Sequence, residues 1–152
     1  MADVLNLGAG NRIIADAVNH DRICHRPEID VVWDLNVLPW PWSDESFDLI
    51  VARAVLEHLD IDLLASLNEC WRILRPGGEI NIKLPYWKAE AAYSDPTHRW
   101  FVAMDTLDTF VPDTARGQEY AFYTPYKWQY VKRPRLNRAG TSLYAMLRKI
   151  AP

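Results

Sequence analysis

Two glycines and two aspartates near the amino end of the sequence have the types and the spacing of a ligand-binding edge. Gly8 and Gly10 follow a short apolar run, and Asp21 and Asp34 each end a later apolar segment. Glycine lets the backbone turn tightly and lets a ligand approach bare main chain. A carboxylate at the end of a strand can accept hydrogen bonds from both hydroxyls of a ribose. Each aspartate alone also fits a strand-end turn, but several such positions in series favour a ligand site.

The surroundings of Asp34 would suit an adenine ring. Leu35 follows it directly, and Trp40 stands in a proline-rich loop a few residues later. A carboxylate can accept a hydrogen bond from an exocyclic amine, and an apolar or flat neighbour can pack against the ring. Trp40 and Trp42 are therefore interpreted as walls of the site rather than as reacting groups.

Two histidines are the candidate acid–base groups, because imidazole titrates near neutral pH and can take a proton from a reacting group. His98, with Asp95 in the same loop, is the preferred candidate, and its alternative is a loop histidine bonded to its own turn. His58 is the second candidate, with packing or capping at the start of a helix as its alternative. Tyr86, just after a predicted strand, either lines an acceptor pocket or packs.

The cysteine and histidine content predicts neither a metal site nor an oxidising compartment. Cys24 and Cys70 lie far apart, outside metal-ligand spacing, and are interpreted as reduced thiols of a cytoplasmic protein. The 152 residues suffice for a single domain over residues 1–152. No apolar run reaches the roughly 18 residues of a membrane span. No signal peptide is recognised before Val4, so we expect no membrane partner.

Charge is distributed unevenly along the chain. The net charge is −3, yet seven lysines and arginines and no acidic residue lie between Lys127 and the carboxyl end. A basic segment can contact phosphate, or it can be a solvated hairpin that balances an acidic body. With a pI near 5.8 the chain has no general nucleic-acid signature, although the aromatic and basic second half would suit a planar or phosphorylated substrate.

Short apolar segments separated by turn residues predict five strands in the first part of the chain. They are expected at residues 4–7, 17–21, 29–34, 47–52 and 79–84. Apolar residues at helical spacing predict one clear helix over residues 60–74, which Pro76 and the glycines after it then end. Residues 38–42 are expected to form a loop, because their prolines remove hydrogen-bond donors and fix φ.

The second half is predicted to contain a long functional loop at 86–100, a short helix at 104–111, and two strands at 126–132 and 142–147. Strands alternating with helical or connecting segments predict an α/β sheet, mostly parallel, with an antiparallel hairpin at the carboxyl end. Two connections in the first half are too short for full helices, so one face of the sheet should be thinly covered. That favours either a homodimer or a pared-down monomer.

Taken in order, the motifs resemble class I S-adenosylmethionine-dependent methyltransferases of the small methyltransferase type 11 kind. The resemblance covers residues 5–101, about two-thirds of the chain. The matching segments are Leu5-Asn6-Leu7-Gly8-Ala9-Gly10, Val18-Asn19-His20-Asp21, Asp34-Leu35-Asn36 with Leu38-Pro39-Trp40, Ser46-Phe47-Asp48-Leu49-Ile50, Val55-Leu56-Glu57-His58-Leu59 and Ile73-Leu74-Arg75-Pro76-Gly77-Gly78, with Asp95-Pro96-Thr97-His98 after the fifth strand.

The resemblance implies a Rossmann-like methyltransferase fold, S-adenosylmethionine as cofactor and methyl transfer to a small-molecule acceptor. It implies that the glycine loop passes under the methionine part and that Asp21 holds the ribose. Asp34 and Leu35 would meet the adenine, with backbone near Ala54 closing over it. The implied cofactor-binding residues are Asn6, Gly8, Ala9, Gly10, Asn11, Asp21, Asp34, Leu35 and Ala54.

Two departures from the family pattern keep other functions open. Asn6 stands where the family normally has an acid, and Arg12 where a third glycine is frequent. Asparagine can hydrogen-bond but brings no negative charge towards the ammonium of the cofactor. The helices that usually precede the first strand are also missing, which predicts weaker or more open binding. The alternative is a module that binds the cofactor or a protein partner without transfer. A nicotinamide-dependent enzyme is disfavoured because no full helix follows Gly10 to bind pyrophosphate.

Overall fold

The computed structural model describes residues 3–151 and contains one seven-stranded sheet in the order β3-β2-β1-β4-β5-β7-β6. The strands are β1 (Val4–Leu7), β2 (Val18–Asp21), β3 (Val31–Val32), β4 (Phe47–Arg53), β5 (Leu74–Pro85), β6 (Lys127–Leu136) and β7 (Ser142–Ile150). β1 to β5 run parallel to one another, whereas β7 is antiparallel to both β5 and β6. The predicted sheet, mostly parallel with an antiparallel hairpin at the carboxyl end, is confirmed.

The bounds of two strands differ from the prediction, because the residues that pair with a neighbouring strand are fewer or more than the apolar run in the sequence. β3 keeps only Val31–Val32 of the predicted 29–34, because these are the residues that pair with β2. β5 begins at Leu74, which already pairs with Phe47, and an irregularity carries the strand past the predicted break at Pro76.

Helices are few: α1 (Leu63–Ile73), α2 (Ala91–Ser94) and α3 (Ala115–Glu119), with 3-10 turns at Leu56–His58, Thr106–Phe110 and Ala121–Tyr123. α1 begins later than predicted because Asp62 caps it, its Oδ1 accepting from Ala65 N at 2.6 Å. The helix predicted at 104–111 is a 3-10 turn, the predicted loop at 86–100 contains α2, and α3 has no counterpart in the prediction. No helix within residues 3–151 has the length and apolar character needed to cross a membrane.

One face of the sheet carries the core. Ile80, Ile82 and Leu147 are fully buried, and residues of α1 such as Leu67 belong to the same cluster. Burial of each such side chain contributes about 1.5–3 kcal/mol. In β5 and β7 the intervening residues, among them Lys83 and Tyr144, are mostly half-buried, whereas β1 and β4 contain consecutive buried residues and are therefore covered on both faces. The helices therefore cover the sheet unevenly.

The proline-rich loop at residues 38–42 is fixed to α1 by one arginine. Arg72 donates to the carbonyls of Trp40 and Trp42 at 3.1 and 2.8 Å. The same guanidinium makes a bidentate pair with Glu69, whose Oε2 in turn accepts from Trp40 N at 2.7 Å. The bidentate geometry gives this contact more directional strength than a lysine could.

The outer strands of the sheet differ in length and composition. β3 contributes two residues, whereas β6 contributes ten. β6 carries Lys132, Arg133, Pro134 and Arg135 within a stretch whose register with β7 shifts twice. Behind the hairpin, Lys149 Nζ is buried 3.9 Å from the centroid of the Trp71 ring, a cation–π contact that ties β7 to α1.

Candidate functional site

The glycine loop between β1 and β2 is fixed by main-chain hydrogen bonds. Gly8 and Gly10 have φ of 60° and 51°, a region that glycine adopts without steric cost. Gly10 N donates to Asp21 Oδ2 and Ala9 N donates to the His20 carbonyl, both at 2.8 Å. Because the strand order reverses between β1 and β4, the loop lies at the switch point where ligands bind in such sheets.

The two glycines differ in what stands beside them. A Cβ on Gly8 would lie 2.6 Å from Val55 Cγ2, so Gly8 is needed for close packing as well as for its φ. At Gly10 no heavy atom lies within 4 Å of that position. The main chain at Gly10 is therefore open on the side where a side chain would stand.

Asp21 and Asp34 stand close together at one end of the sheet, linked through Arg22. Asp21 uses one lone pair of each carboxylate oxygen, for Gly10 N and Arg22 N. One lone pair on each oxygen is left, which is what a vicinal diol requires. Asp34 Oδ1 accepts from Asn36 N at 3.0 Å, and its Oδ2 lies 3.6 Å from Arg22 Nη2.

A cavity collects five of the predicted site residues, four for the cofactor and His58 for acid–base chemistry. It is lined by Gly8, Asp21, Asp34 and Leu35, together with His20, Arg22, Trp33, Asn36, Val55, His58 and Leu59. Trp40 is not part of it, and its predicted role as a wall is corrected. Trp40 is 2% exposed in the core, where its Nε1 donates to the Leu35 carbonyl at 2.9 Å. The indole that lines the cavity is that of Trp33.

Asn6 and Ala9 line a second cavity, which shares Gly8 with the first and also includes Arg12 and Arg53. The Asn6 Nδ2 donates to the Arg12 carbonyl at 2.7 Å and to Asn19 Oδ1 at 2.9 Å. Both amide hydrogens are therefore used, and only the carbonyl oxygen of Asn6 is free to meet a ligand.

Asn11 and Ala54 line neither of these cavities. The Asn11 Oδ1 accepts from Arg26 Nη2 at 3.3 Å on the surface. Ala54 has a φ of 56° directly after β4, and its N donates to the Lys83 carbonyl at 3.1 Å. Positive φ is uncommon for alanine, so the turn after β4 is held by its surroundings.

His20 is a site residue that the sequence analysis missed. Its Nδ1 accepts from Gly8 N at 3.3 Å, and its Nε2 lies 3.0 Å from the Trp33 carbonyl. The neutral Nε2–H tautomer satisfies both contacts. Burial lowers the pKa of His20 below its ordinary value. The sequence could have indicated this role, because His20 directly precedes Asp21 at the end of β2, and residues at the carboxyl ends of parallel strands lie at the ligand-binding edge of the sheet.

The two predicted acid–base histidines lie against each other beside the first cavity. His58, in a 3-10 turn and not at the start of a helix, has its ring centroid 4.8 Å from that of His98. His98 Nδ1 is 2.7 Å from the Ala92 carbonyl, and its Nε2 is 3.9 Å from Asp95 Oδ2. His58 Nδ1 is 2.7 Å from Thr97 Oγ1. The structure thus brings His58, His98 and Asp95 together, although they are up to 40 residues apart in sequence.

Glu57 joins this group and was also missed. Its side chain is 2% exposed, and among the described residues no hydrogen-bond partner reaches its Oε2. Burial raises the pKa of Glu57 to about 7, whereas burial and then His98 lower the pKa of His58. The ligand atoms of Glu57, His58 and His98 all lie within 4.8 Å of one another.

Tyr86, the residue after β5, contacts its neighbour Trp87 and the residue before β7. Its ring lies edge-on to Trp87 with centroids 6.4 Å apart, and its N donates to the Thr141 carbonyl at 3.1 Å. It does not line the cavity that contains Gly8 and His58.

Comparisons with known proteins agree on the family and on the fold. Residues 6–82, half of the chain, match the methyltransferase domain family. None of the curated proteins matches the sequence. A S-adenosylmethionine-dependent methyltransferase from Archaeoglobus fulgidus superimposes with a TM-score of 0.65 at 16% identity, covering 97% of this chain and 86% of that one.

Two further structures show the range of this fold. The 1,6-didemethyltoxoflavin N1-methyltransferase from Burkholderia thailandensis, with 1,6-didemethyltoxoflavin and S-adenosylhomocysteine bound, has a TM-score of 0.58 at 20% identity, over 98% of this chain and 71% of that one. The [4+2]-cyclase SpnF has a TM-score of 0.60 at 15% identity, over 99% and 75%. Likeness at these identities concerns the fold alone. By its sequence match and its fold, the chain belongs to the methyltransferase domain family.

Proposed function

We propose that the protein is a S-adenosylmethionine-dependent methyltransferase that acts on a small-molecule acceptor. The observation that carries the proposal is the shared cavity of Gly8, Asp21, Asp34 and Leu35, with His58 on its wall. The groups proposed to bind the cofactor, at the carboxyl ends of β1, β2 and β3, thereby lie beside a candidate acid–base group from the turn after β4.

The described residues fit the cofactor that the family implies. Asp21 keeps one free lone pair on each oxygen for the two ribose hydroxyls. Asp34 offers a carboxylate for an exocyclic amine, with Leu35 and Trp33 as apolar neighbours. Gly10 presents open main chain, and the free carbonyl oxygen of Asn6 could accept a hydrogen bond from an ammonium group. S-adenosylmethionine supplies an already activated sulfonium methyl.

With such a cofactor the protein has to align the acceptor and, where necessary, remove its proton. His58 lines the cavity, His98 packs against His58, and Asp95 lies 3.9 Å from His98 Nε2, which supports their predicted acid–base role. Tyr86 stays a predicted acceptor contact.

A second candidate function is a module that binds S-adenosylmethionine or a protein partner without transfer. Asn6 favours it, because a neutral amide replaces the usual acid.

The free thiols of Cys24 and Cys70 favour the reducing cytoplasm as the place where the protein acts. The half-buried sheet face would suit a homodimer.

Calorimetric titration with S-adenosylmethionine, S-adenosylhomocysteine and NADH tests the binding part. We expect the first two to bind and the third not to bind.

Asp21→Asn should weaken binding of S-adenosylmethionine about 100-fold, since two hydrogen bonds to a charged group are lost or weakened. Asparagine can still accept from Gly10 N, so the loop should stay intact.

Asp105→Asn is the matched control, because Asp105 is an exposed aspartate that faces Arg116 outside both cavities. Unchanged affinity in Asp21→Asn would show that the ribose site is misplaced. Transfer is measured separately as S-adenosylhomocysteine formed over a panel of small-molecule acceptors. Tight binding without transfer across the panel would favour the module.

A further inference from the structure

We propose that Glu57, His58 and His98 form a binding site for a divalent transition-metal ion of the zinc class. Their ligand atoms lie within 4.8 Å of one another. Two imidazoles and one carboxylate are a frequent donor set for Zn²⁺ and for other first-row ions, whereas Mg²⁺ prefers oxygen alone. The site goes beyond the proposed function, and the sequence gives no spacing signal for it because His98 comes from a distant loop.

His98 is held in the tautomer that a metal ligand needs. The Ala92 carbonyl can only accept, so the His98 Nδ1 at 2.7 Å must carry the hydrogen. The lone pair of His98 is therefore on Nε2. A metal-bound histidine commonly donates its other ring N–H to a backbone carbonyl in this way.

His58 is oriented by a relay through Thr97. Thr97 Oγ1 donates its hydrogen to Asp95 Oδ1 at 2.7 Å, and the same carboxylate oxygen accepts from Thr97 N at 2.9 Å. Thr97 Oγ1 is then an acceptor for the His58 Nδ1–H, also at 2.7 Å. This arrangement leaves the lone pair of His58 on Nε2 as well.

Glu57 supplies a buried carboxylate, one oxygen of which is free to bind a cation. The residue is 98% buried, as its 2% exposure shows, and its Oε2 has no hydrogen-bond partner among residues 3–151. An unpartnered buried carboxylate oxygen is costly in a folded protein. A cation would remove that cost, and the charges of Glu57 and Asp95 together would balance a divalent ion.

The geometry requires a small contraction to reach coordination distances. Ligands at about 2.0–2.1 Å from a tetrahedral ion stand about 3.3 Å from one another. Rotation of the side chains about their terminal torsions can supply the difference. The ion would use the Nε2 lone pairs of both histidines. His98 could therefore not accept a proton from an acceptor while it binds the metal ion.

Zinc titration of the protein, first freed of metal by dialysis against EDTA, tests the site without cofactor or acceptor. We expect one Zn²⁺ per chain and no heat with Mg²⁺. Co²⁺ should give the visible absorption of a four- or five-coordinate site. His98→Ala should lower zinc affinity by about 100-fold or more, and Thr97→Val, which keeps all three ligands, by about tenfold.

His25→Ala and Glu90→Gln are the controls, because they remove a histidine and a carboxylate outside the cluster and should leave zinc affinity unchanged. If His98→Ala does not fold by circular dichroism, Glu57→Gln, which keeps the shape of the side chain, decides instead. Absence of stoichiometric Zn²⁺ binding, or equal binding by the cluster variants, would overturn the inference. Neither result affects the titration with S-adenosylmethionine, so the two proposals fail independently.

Discussion

At the scale of single residues, the glycine loop uses a missing side chain in two ways. Gly8 has a positive φ and is also covered by Val55, whereas Gly10 has a positive φ beside open space. The two positions therefore separate the cost of backbone strain from the cost of steric overlap.

Gly10→Ala should lower the free energy of unfolding by about 1–2 kcal/mol through strain alone. Gly8→Ala should cost about 1–3 kcal/mol more, because its methyl group overlaps Val55. Urea denaturation of both variants measures the difference. Val55→Ala placed on the Gly8→Ala background should recover part of the extra loss. Equal stability of the two single variants would mean that Val55 moves aside freely.

His20 couples the same loop to pH. Protonation of Nδ1 would turn an acceptor of the Gly8 N–H into a donor facing it, and burial already holds the His20 pKa below its ordinary 6.5. The unfolded state therefore binds more protons than the folded state just below pH 6.5. By linkage, the contribution of His20 to stability is present above that pH and is lost as the pH falls through the folded pKa.

We expect the unfolding free energy of the wild type to fall relative to that of His20→Asn as the pH is lowered from 7 towards 5. Glu57, whose pKa burial raises to about 7, acts in the opposite direction but does so in both proteins. Denaturation curves at matched pH values give the difference, which removes the shared contribution of the other histidines. Affinity for S-adenosylmethionine should weaken over the same range. Parallel curves for the two proteins would show that His20 does not control this transition.

At the scale of elements, α1 positions the loop at residues 38–42 through Arg72. The side chain of Arg72 is 22% exposed and that of its partner Glu69 is 13% exposed. The loop in turn supports the cavity, since Trp40 Nε1 donates to the Leu35 carbonyl. α1, which lines neither cavity itself, therefore supports one wall of the first cavity.

Arg72→Ala should destabilise the protein by about 2 kcal/mol, less than a fully buried pair because the network is partly hydrated. Hydrogen exchange at Trp40 N should become faster, since its acceptor Glu69 loses the guanidinium that orients it. Arg75→Ala is the control, because Arg75 forms exposed pairs with Asp3 and Asp48. Unaltered protection of Trp40 N in Arg72→Ala would show that the loop holds itself.

The strands and the ligand edge could be predicted from local pattern, because apolar runs and strand-end acids are local features. The start of α1 could not, since Asp60 and Asp62 are equally good caps until the chain before them is placed. Trp40 was assigned to the wrong surface because a proline-rich loop can present either face. The group around Glu57 could not be foreseen, because it depends on a loop that returns from beyond β5.

At the scale of the whole molecule, the helices cover one face of the sheet and leave the other half-buried along β5 and β7. Both cavities with Gly8 collect where the parallel strands end, and the loop from residue 86 to residue 100 brings His98 back to them. Few helices are needed for this, since the ligand edge is built by strand order rather than by helical packing. The fold thus keeps its ligand edge with little more than the sheet itself.

The outer strands have a consequence for how the chain behaves when it is concentrated. Exposed strand edges can add further strands and so start fibrils. β3 offers two residues to such growth, and β6 offers a proline that lacks an N–H among Lys132, Arg133 and Arg135. Repulsion between like charges opposes the approach of a second β6. The open sheet is therefore protected at both margins against growth into fibrils.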